Sequence, residues 1–261
     1  MGKYWAIFRV QLLNNLAYMG NFLTGSIAIV LFMFIFAQLW RAAYSSTGGD
    51  TIAGLSYHDV LWYLLLAEVI ELSKPRLAQT IAQTVRDGSI AYQLTKPYNF
   101  LVYQCSVGLG DSALKMVVNA LVGGAVIWSM VGPPPDPRWW PLVLVLVLGG
   151  WLIYFCFTVL IGLAAFVTEE VRAFEWIYQK LIFILGGFLI PLDLYPTWLQ
   201  PIAKATPFAQ AIYGPARFFV DPSWERFSQA LLGQWLWLAA LIGLLAFCYQ
   251  LSTQRLAING G

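Results

Sequence analysis

The sequence predicts an all-α membrane protein of six transmembrane helices, and three observations predict it. Hydrophobic residues make up 59% of the chain and charged residues only 11%, against about 25% charged in an ordinary soluble domain, so the chain could not cover a surface in water. Apolar runs long enough for the roughly 30 Å hydrocarbon core, about 20 residues each, recur along its length. The remaining charge gathers mostly between those runs, and residues 1–261 read as a single transmembrane domain.

The spans are expected at residues 21–40, 57–72, 102–131, 140–167, 174–190 and 227–251. Glu68 and Glu71 fall near the end of the second, where they share one helical face and read as solvated or as partners for Lys74 or Arg76. The third and fourth are long enough to protrude or tilt. A seventh span across 203–220 is excluded by Pro201, Pro207, Pro215 and Pro222, which interrupt the stretch too often for a regular helix.

Residues 1–20 are of a different kind. In KYWAIFRVQLLNNLAY (3–18), Trp5, Phe8, Leu12 and Leu16 recur at helical spacing among polar Lys3, Arg9, Asn14 and Asn15. That pattern predicts an interfacial amphipathic helix; the alternative is an extension of the first span. A cleaved leader does not fit, because the apolar run starts only near Phe22 and continues to Trp40, longer than an h-region.

Orientation follows from lysine and arginine. With both termini inside, Lys3, Arg9, Lys74, Arg76, Arg86, Lys96, Arg172, Lys180 and Arg255 are inward, against Arg41, Arg138, Lys204, Arg217 and Arg226 outward. The inward excess predicts a multi-pass protein of the cell's inner (plasma) membrane with cytoplasmic termini. Trp139 and Trp140 at the start of the fourth span, with Trp198 and Trp224 beyond the fifth, sit where interfacial rings belong.

Two connections exceed turns. The inward one, 73–100, places Leu77, Ile81 and Val85 on one stripe, breaks at Asp87-Gly88, resumes through Tyr92 and stops at Pro97. Its apolar stripe would either plug a partner's groove or face the membrane surface. The outward one, 191–226, is apolar yet punctuated by proline. Broken backbone at membrane depth survives only where protein or a hydrated cavity satisfies it, so short re-entrant helices closing the outer end are expected.

Catalytic machinery is sparse. His58 is the lone histidine, so no multi-histidine metal site is available, and an interfacial polar role is expected. There is no GxxxxGK[ST] phosphate loop, GxSxG elbow or CxxC pair. The three cysteines, Cys105, Cys156 and Cys248, lie in or beside apolar runs and read as inert thiols. The net charge of +2 gives no reason to expect nucleic acid. Asp111 and Lys115, four apart within the third span, form either a structural ion pair or a polar step in a path. The glycine pairs 123–124, 149–150 and 186–187 are expected to admit close helix packing.

Segment GGFLIPLDLYPTWLQPIAKATPFAQAIYGPARFF (186–219) resembles the membrane subunits of ABC-2 type ABC transporters, through Gly187, Pro191, the Pro196–Leu199 stretch containing Trp198, Pro207-Phe208 and the tail around Arg217. VRDGSIAYQLTKP (85–97) is similar to the stretch that follows their second span. The resemblance implies a permease without catalytic residues, an exporter for an amphipathic or hydrophobic substrate such as a drug, lipid or glycolipid. It also implies a cytoplasmic ATPase partner that holds ATP and magnesium, coupled through Leu77, Ile81, Val85, Arg86, Asp87, Gly88 and Tyr92. A second permease subunit, identical or related, and contact with membrane lipids are implied too. The competing classes are an intramembrane transferase and a non-enzymatic membrane assembly protein.

Overall fold

The computed structural model describes the backbone of residues 2–17, 19–168 and 170–259, and side chains within 2–17, 20, 27–168 and 170–254. Arg255, counted above as inward, therefore has its side chain outside the described residues. The chain is mostly helical. Helix α1 (Gly2–Ala17) precedes α2 (Met19–Thr47), and a two-residue hairpin, β1 (Thr51–Ile52) with β2 (Leu55–Ser56), leads into α3 (Tyr57–Leu72). Two short helices follow, α4 (Ala78–Arg86) and α5 (Ser89–Leu94), then the long α6 (Phe100–Val131) and α7 (Trp140–Leu163). The last part holds α8 (Arg172–Leu185), the short α9 (Leu199–Lys204), α10 (Pro207–Ala211) and α11 (Tyr213–Val220), and the long α12 (Trp224–Asn259).

Among the described residues, four helical stretches are long and apolar enough to cross a membrane: Ile27–Thr47, Phe100–Val131, Pro137–Phe166 and Trp224–Gln254. The other two expected spans are short helices. At 1.5 Å per residue, the 16-residue α3 is about 24 Å long and the 14-residue α8 about 21 Å.

Local chemistry sets the boundaries. α3 matches the expected 57–72 because Ser56 and Asp59 cap it reciprocally: the Ser56 side chain accepts from the Asp59 N–H, and Asp59 Oδ2 accepts from the Ser56 N–H at 3.1 Å. Asn99 caps α6, its side chain accepting from the Val102 N–H at 3.1 Å, so α6 starts ahead of residue 102. It ends at Gly132, φ +98°, before three prolines. α2 continues past Trp40 and Arg41 to Gly48, φ +66°: a charge marks a membrane edge, not a helix end. The fifth expected span is corrected most. Its helix ends at Leu185 rather than 190, because Gly187 adopts φ +68° and turns the chain.

α3 is the centre of the bundle. From Val60 to Glu71 its residues are buried almost without interruption. This explains how a short helix with two glutamates belongs among apolar spans: it is enclosed by protein on all sides. Glycines seat its neighbours. A Cβ on Gly123 of α6 would lie 2.9 Å from Ile29 of α2 and closer still to Leu65 of α3, Gly149 meets the Gln234 side chain, and Gly150 meets the Ala211 carbonyl. Gly124, beside Gly123, faces open space.

The bundle has two unlike ends. At one, α1 runs beside the start of α6 in the same direction: Lys3 Nζ donates to the Pro97 carbonyl (2.5 Å), the Asn99 N–H donates to the Tyr4 hydroxyl (2.9 Å), and Asn15 Nδ2 donates to the Gly110 carbonyl (3.2 Å). Trp5, Val10, Leu13 and Leu16 of α1 stay exposed. α4 lies at this end too, with Ile81 and Ala78 against Gly162 near the end of α7. At the opposite end stand the hairpin and the Gly132–Trp139 connection, joined to α3 by a 2.8 Å hydrogen bond between His58 Nε2 and the Pro133 carbonyl.

Candidate functional site

The segment 191–226 is held by one carboxylate. Asp193 Oδ1 accepts from Lys204 Nζ (3.1 Å) and the Tyr213 hydroxyl (2.8 Å), and Oδ2 accepts from Arg217 Nε (3.0 Å). Arg217, only 7% exposed, also meets Asp221 at 3.0 Å, which in turn meets Arg226 at 2.8 Å. Both partners of Arg217 are carboxylates of this chain. Burial pushes the Asp193 carboxyl up, but the Tyr213 hydroxyl, Lys204 and Arg217 outweigh it and hold the group below the usual carboxylate range.

The carbonyls freed by the helix breaks are capped by side chains. Tyr63 donates to Gly187 (2.5 Å), Tyr195 to Ile184 (2.7 Å), Gln200 to Asp193 and Tyr195 (3.1 and 2.9 Å), Gln210 to Lys204 (2.9 Å), and Trp237 to Ala205 (3.0 Å). Gln234 donates to both Leu146 (2.8 Å) and Gln210 (3.0 Å), tying α12 to α7 and α10. The segment thus replaces lost helical hydrogen bonds instead of exposing them. It also runs deep. Ala211 touches Gly150, about 15 Å along α7 from Trp140 at 1.5 Å per residue, and Phe208 stacks on Phe157 with centroids 5.5 Å apart. Pro207 is buried with it, while Pro191 and Pro196 flank the single turn Leu192–Leu194 and Trp198 remains exposed.

The 73–100 segment divides differently from its expected use. Leu77 and Ile81 are buried inside this chain, against Gly108 of α6 and Gly162 of α7, and Val85 is half-buried. In this structure the stripe is covered by the chain itself and faces neither a partner's groove nor the membrane surface. What the anchored stripe presents is the turn between α4 and α5. Arg86, Asp87, Gly88 and Tyr92 are exposed there. Gly88 takes φ +74°, and Asp87 Oδ1 accepts from the Ser89 N–H at 2.9 Å. The Ser89 hydroxyl and N–H hold the Asp87 carboxyl below its ordinary value.

Between the two regions lies a cavity of about 730 Å³, walled by α2, α3, α7 and α8. Lys74, Arg76, Gln79 and Glu175 line it beside α4, and Phe32, Phe183 and Phe188 line it elsewhere. Phe188 stacks on Phe183 (4.9 Å) and meets Phe32 (5.8 Å). Glu68 and Glu71 line it and are only 5% and 6% exposed, which overturns their reading as a solvated face. Glu71 is paired with Lys74 and accepts from the Tyr154 hydroxyl (2.6 Å), and Gln79 donates to Glu175. Asp111 and Lys115 form an ion pair at 2.5 Å, with Asn15 donating to Asp111 (3.4 Å). They lie outside this cavity's lining and tie α1 to α6.

The family profile of ABC-2 family transporter proteins matches residues 27–260. The chain belongs to this family. No curated protein matches it. The ABC-2 chain is accordingly the permease subunit of an ABC transporter, a multi-pass membrane component of a kind that is generally non-catalytic and associates with an ABC ATPase.

In this ABC-2 permease, sequence reasoning missed Asp193, the glutamines at 200, 210 and 234, and Tyr154. The signal for Asp193 was present: one acid inside an apolar stretch that also holds Lys204 and Arg217 implies an internal pair. The glutamines carried none, since an amide in an apolar helix shows its carbonyl partner only once the fold is known.

Proposed function

We propose that this ABC-2 permease forms the path of an ATP-driven exporter in the inner (plasma) membrane, carrying an amphipathic or hydrophobic molecule such as a drug, lipid or glycolipid. In this reading α2, α3, α6, α7, α8 and α12 are six spans, both termini are cytoplasmic, and α1 rests at the inner surface with its exposed apolar side toward lipid. A second permease subunit, identical or related, faces this one. The turn at Arg86–Tyr92 engages cytoplasmic ATPase subunits, which bind ATP and magnesium.

The observation that carries the reading is the placement of the cavity. Its lining runs from Lys74, Arg76, Gln79 and Glu175 at the α4 end to Phe32, Phe183 and Phe188, and in this reading it opens at the α4 end while residues 191–226 close the opposite side of the membrane. The short α8 supports re-entry of that segment: about 21 Å of helix leaves part of a 30 Å core for the broken helices to fill. A cavity open on one side and closed by a distinct segment on the other is what alternating access requires.

Reconstitution with the cognate ATPase tests this. The purified chain alone is expected to hydrolyse no ATP and the complex to do so, with turnover by the chain alone overturning the division of labour. Cysteines at Phe32 and Phe188, in a background lacking Cys105, Cys156 and Cys248, would tether the aromatic ceiling. Crosslinking should stop transport without unfolding the protein, and undiminished transport with the bond formed would rule out movement of this ceiling during transport. Labelling of 203–211 by an impermeant thiol reagent from the cytoplasmic side would reverse the topology.

A further inference from the structure

We propose that the cavity between α2, α3, α7 and α8 binds an amphipathic organic cation, with Glu68 as its counter-charge and the Phe32, Tyr178, Phe183 and Phe188 rings as its apolar wall. As a statement about the transported class, this rests on the permease reading; as a binding site, it stands on the geometry alone.

Pairing on the lining is incomplete, although Lys180, over the Trp176 and Phe183 rings, adds a third nearby cation to Lys74 and Arg76. Glu68, Glu71 and Glu175 face Lys74 and Arg76. Glu71 is engaged by Lys74 and Tyr154, and Glu175 by Gln79. Arg76 is exposed. Glu68 is left over: it is 5% exposed, and its Oε2 has no hydrogen-bond partner among the described residues. Burying a carboxylate oxygen without a partner is costly, and a cation entering the cavity removes that cost. An anion would add to it, and a neutral molecule without a hydrogen-bond donor would leave it in place.

The rest of the lining selects among cations. A small inorganic ion would use the carboxylates and leave a wall of aromatic rings idle. Ring faces attract organic cations, and this wall already does so within the chain: Lys180 Nζ lies 5.8 Å from the Trp176 centroid and 5.6 Å from that of Phe183. The volume of about 730 Å³ lies within the range of drug-sized sites.

Tetraphenylphosphonium and tetraphenylborate, alike in shape and opposite in charge, are the probes, measured as saturable binding to the full chain in lipid nanodiscs with empty nanodiscs subtracted. The phosphonium is expected to bind saturably and the borate not. Glu68→Gln should weaken phosphonium binding by about tenfold or more, as loss of a charge-assisted contact does. Trp176→Leu, at an exposed position on the cavity wall, should weaken it less while preserving the fold, whereas Glu225→Gln at the far end should change nothing. Equal affinity for the two probes, or unchanged binding in both Glu68→Gln and Trp176→Leu, overturns the inference. The two readings fail separately. ATP turnover by the ATPase complex without phosphonium binding refutes the cation site and leaves the permease role. Phosphonium binding that vanishes in Glu68→Gln, with no ATPase able to couple to the chain, supports the site and refutes the permease role.

Discussion

Asp193 and Glu68 are both carboxylates buried in apolar sequence, and the chain treats them oppositely. Asp193 is closed from three directions by Lys204, Tyr213 and Arg217. Glu68, on the central helix, keeps an oxygen with no partner among the described residues and borders a cavity. The difference teaches how a nearly charge-free bundle separates holding from receiving. Where broken backbone must be fixed, the fold spends its few polar groups on one another. Beside the cavity, Glu68 keeps a carboxylate oxygen unspent.

The comparison breaks most visibly at Asp193. Asp193→Ala leaves the buried Arg217 with only the more exposed Asp221 as counter-charge, and removing one member of a buried pair costs up to about 3–5 kcal/mol; Lys204, more than a third exposed, adds little. The expected outcome is a large drop in the thermal midpoint in nanodiscs. Glu68→Gln, by contrast, should leave the midpoint unchanged or raise it. If the two variants lose equal stability, the contrast is wrong. The pH dependence has a definite sign. Because the folded Asp193 carboxyl lies below its ordinary value, its stabilisation is complete above the unfolded carboxylate value near about 4. It disappears as pH falls through the lower folded value. Acid titration of the midpoint should show that loss in the wild type and not in Asp193→Ala.

The turn at Gly187 gives an intermediate effect. Its φ of +68° costs an L-residue about 1–2 kcal/mol, and a Cβ there would lie 2.9 Å from the Tyr63 hydroxyl. Tyr63→Phe instead orphans the buried Gly187 carbonyl, for about 1–3 kcal/mol. Gly187→Ala and Tyr63→Phe should therefore each lower the midpoint by less than Asp193→Ala. Their combination should be less than additive, since both act on one contact.

Much of the helix layout was legible because apolar run length and capping residues are local. The range 57–72 matches α3 because Ser56 and Asp59 announce its start. That 191–226 is broken into short helices was legible for the same reason, from its prolines. What was not legible depends on depth and on partners far along the chain. Of the two readings open for Glu68 and Glu71, the Lys74 partner holds for Glu71 and the solvated face does not, because distance from a helix end says nothing about burial or about the Tyr154 hydroxyl beside Glu71. Leu77 and Ile81 looked available because an amphipathic stripe does not reveal whether its cover is a partner or, as here, Gly108 and Gly162 of the same chain. The hairpin at 51–56 went unread because four strand residues give no usable period.

The smallest effect on stability should come from the exposed turn between α4 and α5, and this sharpens the contrast between anchored and presented residues. Leu77 and Ile81 hold the segment to the bundle, whereas Arg86 and Tyr92 project from it. Asp87 is best left in place, because its carboxylate accepts from the Ser89 N–H where α5 begins. Arg86→Glu with Tyr92→Ala should shift unfolding by no more than about 1 kcal/mol, as expected for exposed side chains. If this turn is where the ATPase docks, the same pair should abolish co-purification of the ATPase or uncouple its turnover from transport. Ile81→Ala should do the reverse. Removing a fully buried side chain costs about 2–5 kcal/mol, yet those molecules that remain folded should still bind the ATPase. Loss of docking in Ile81→Ala together with normal docking in the Arg86/Tyr92 variant would mean that the apolar stripe is released to the partner after all, and that α4 must leave its seat on Gly162 for the complex to form.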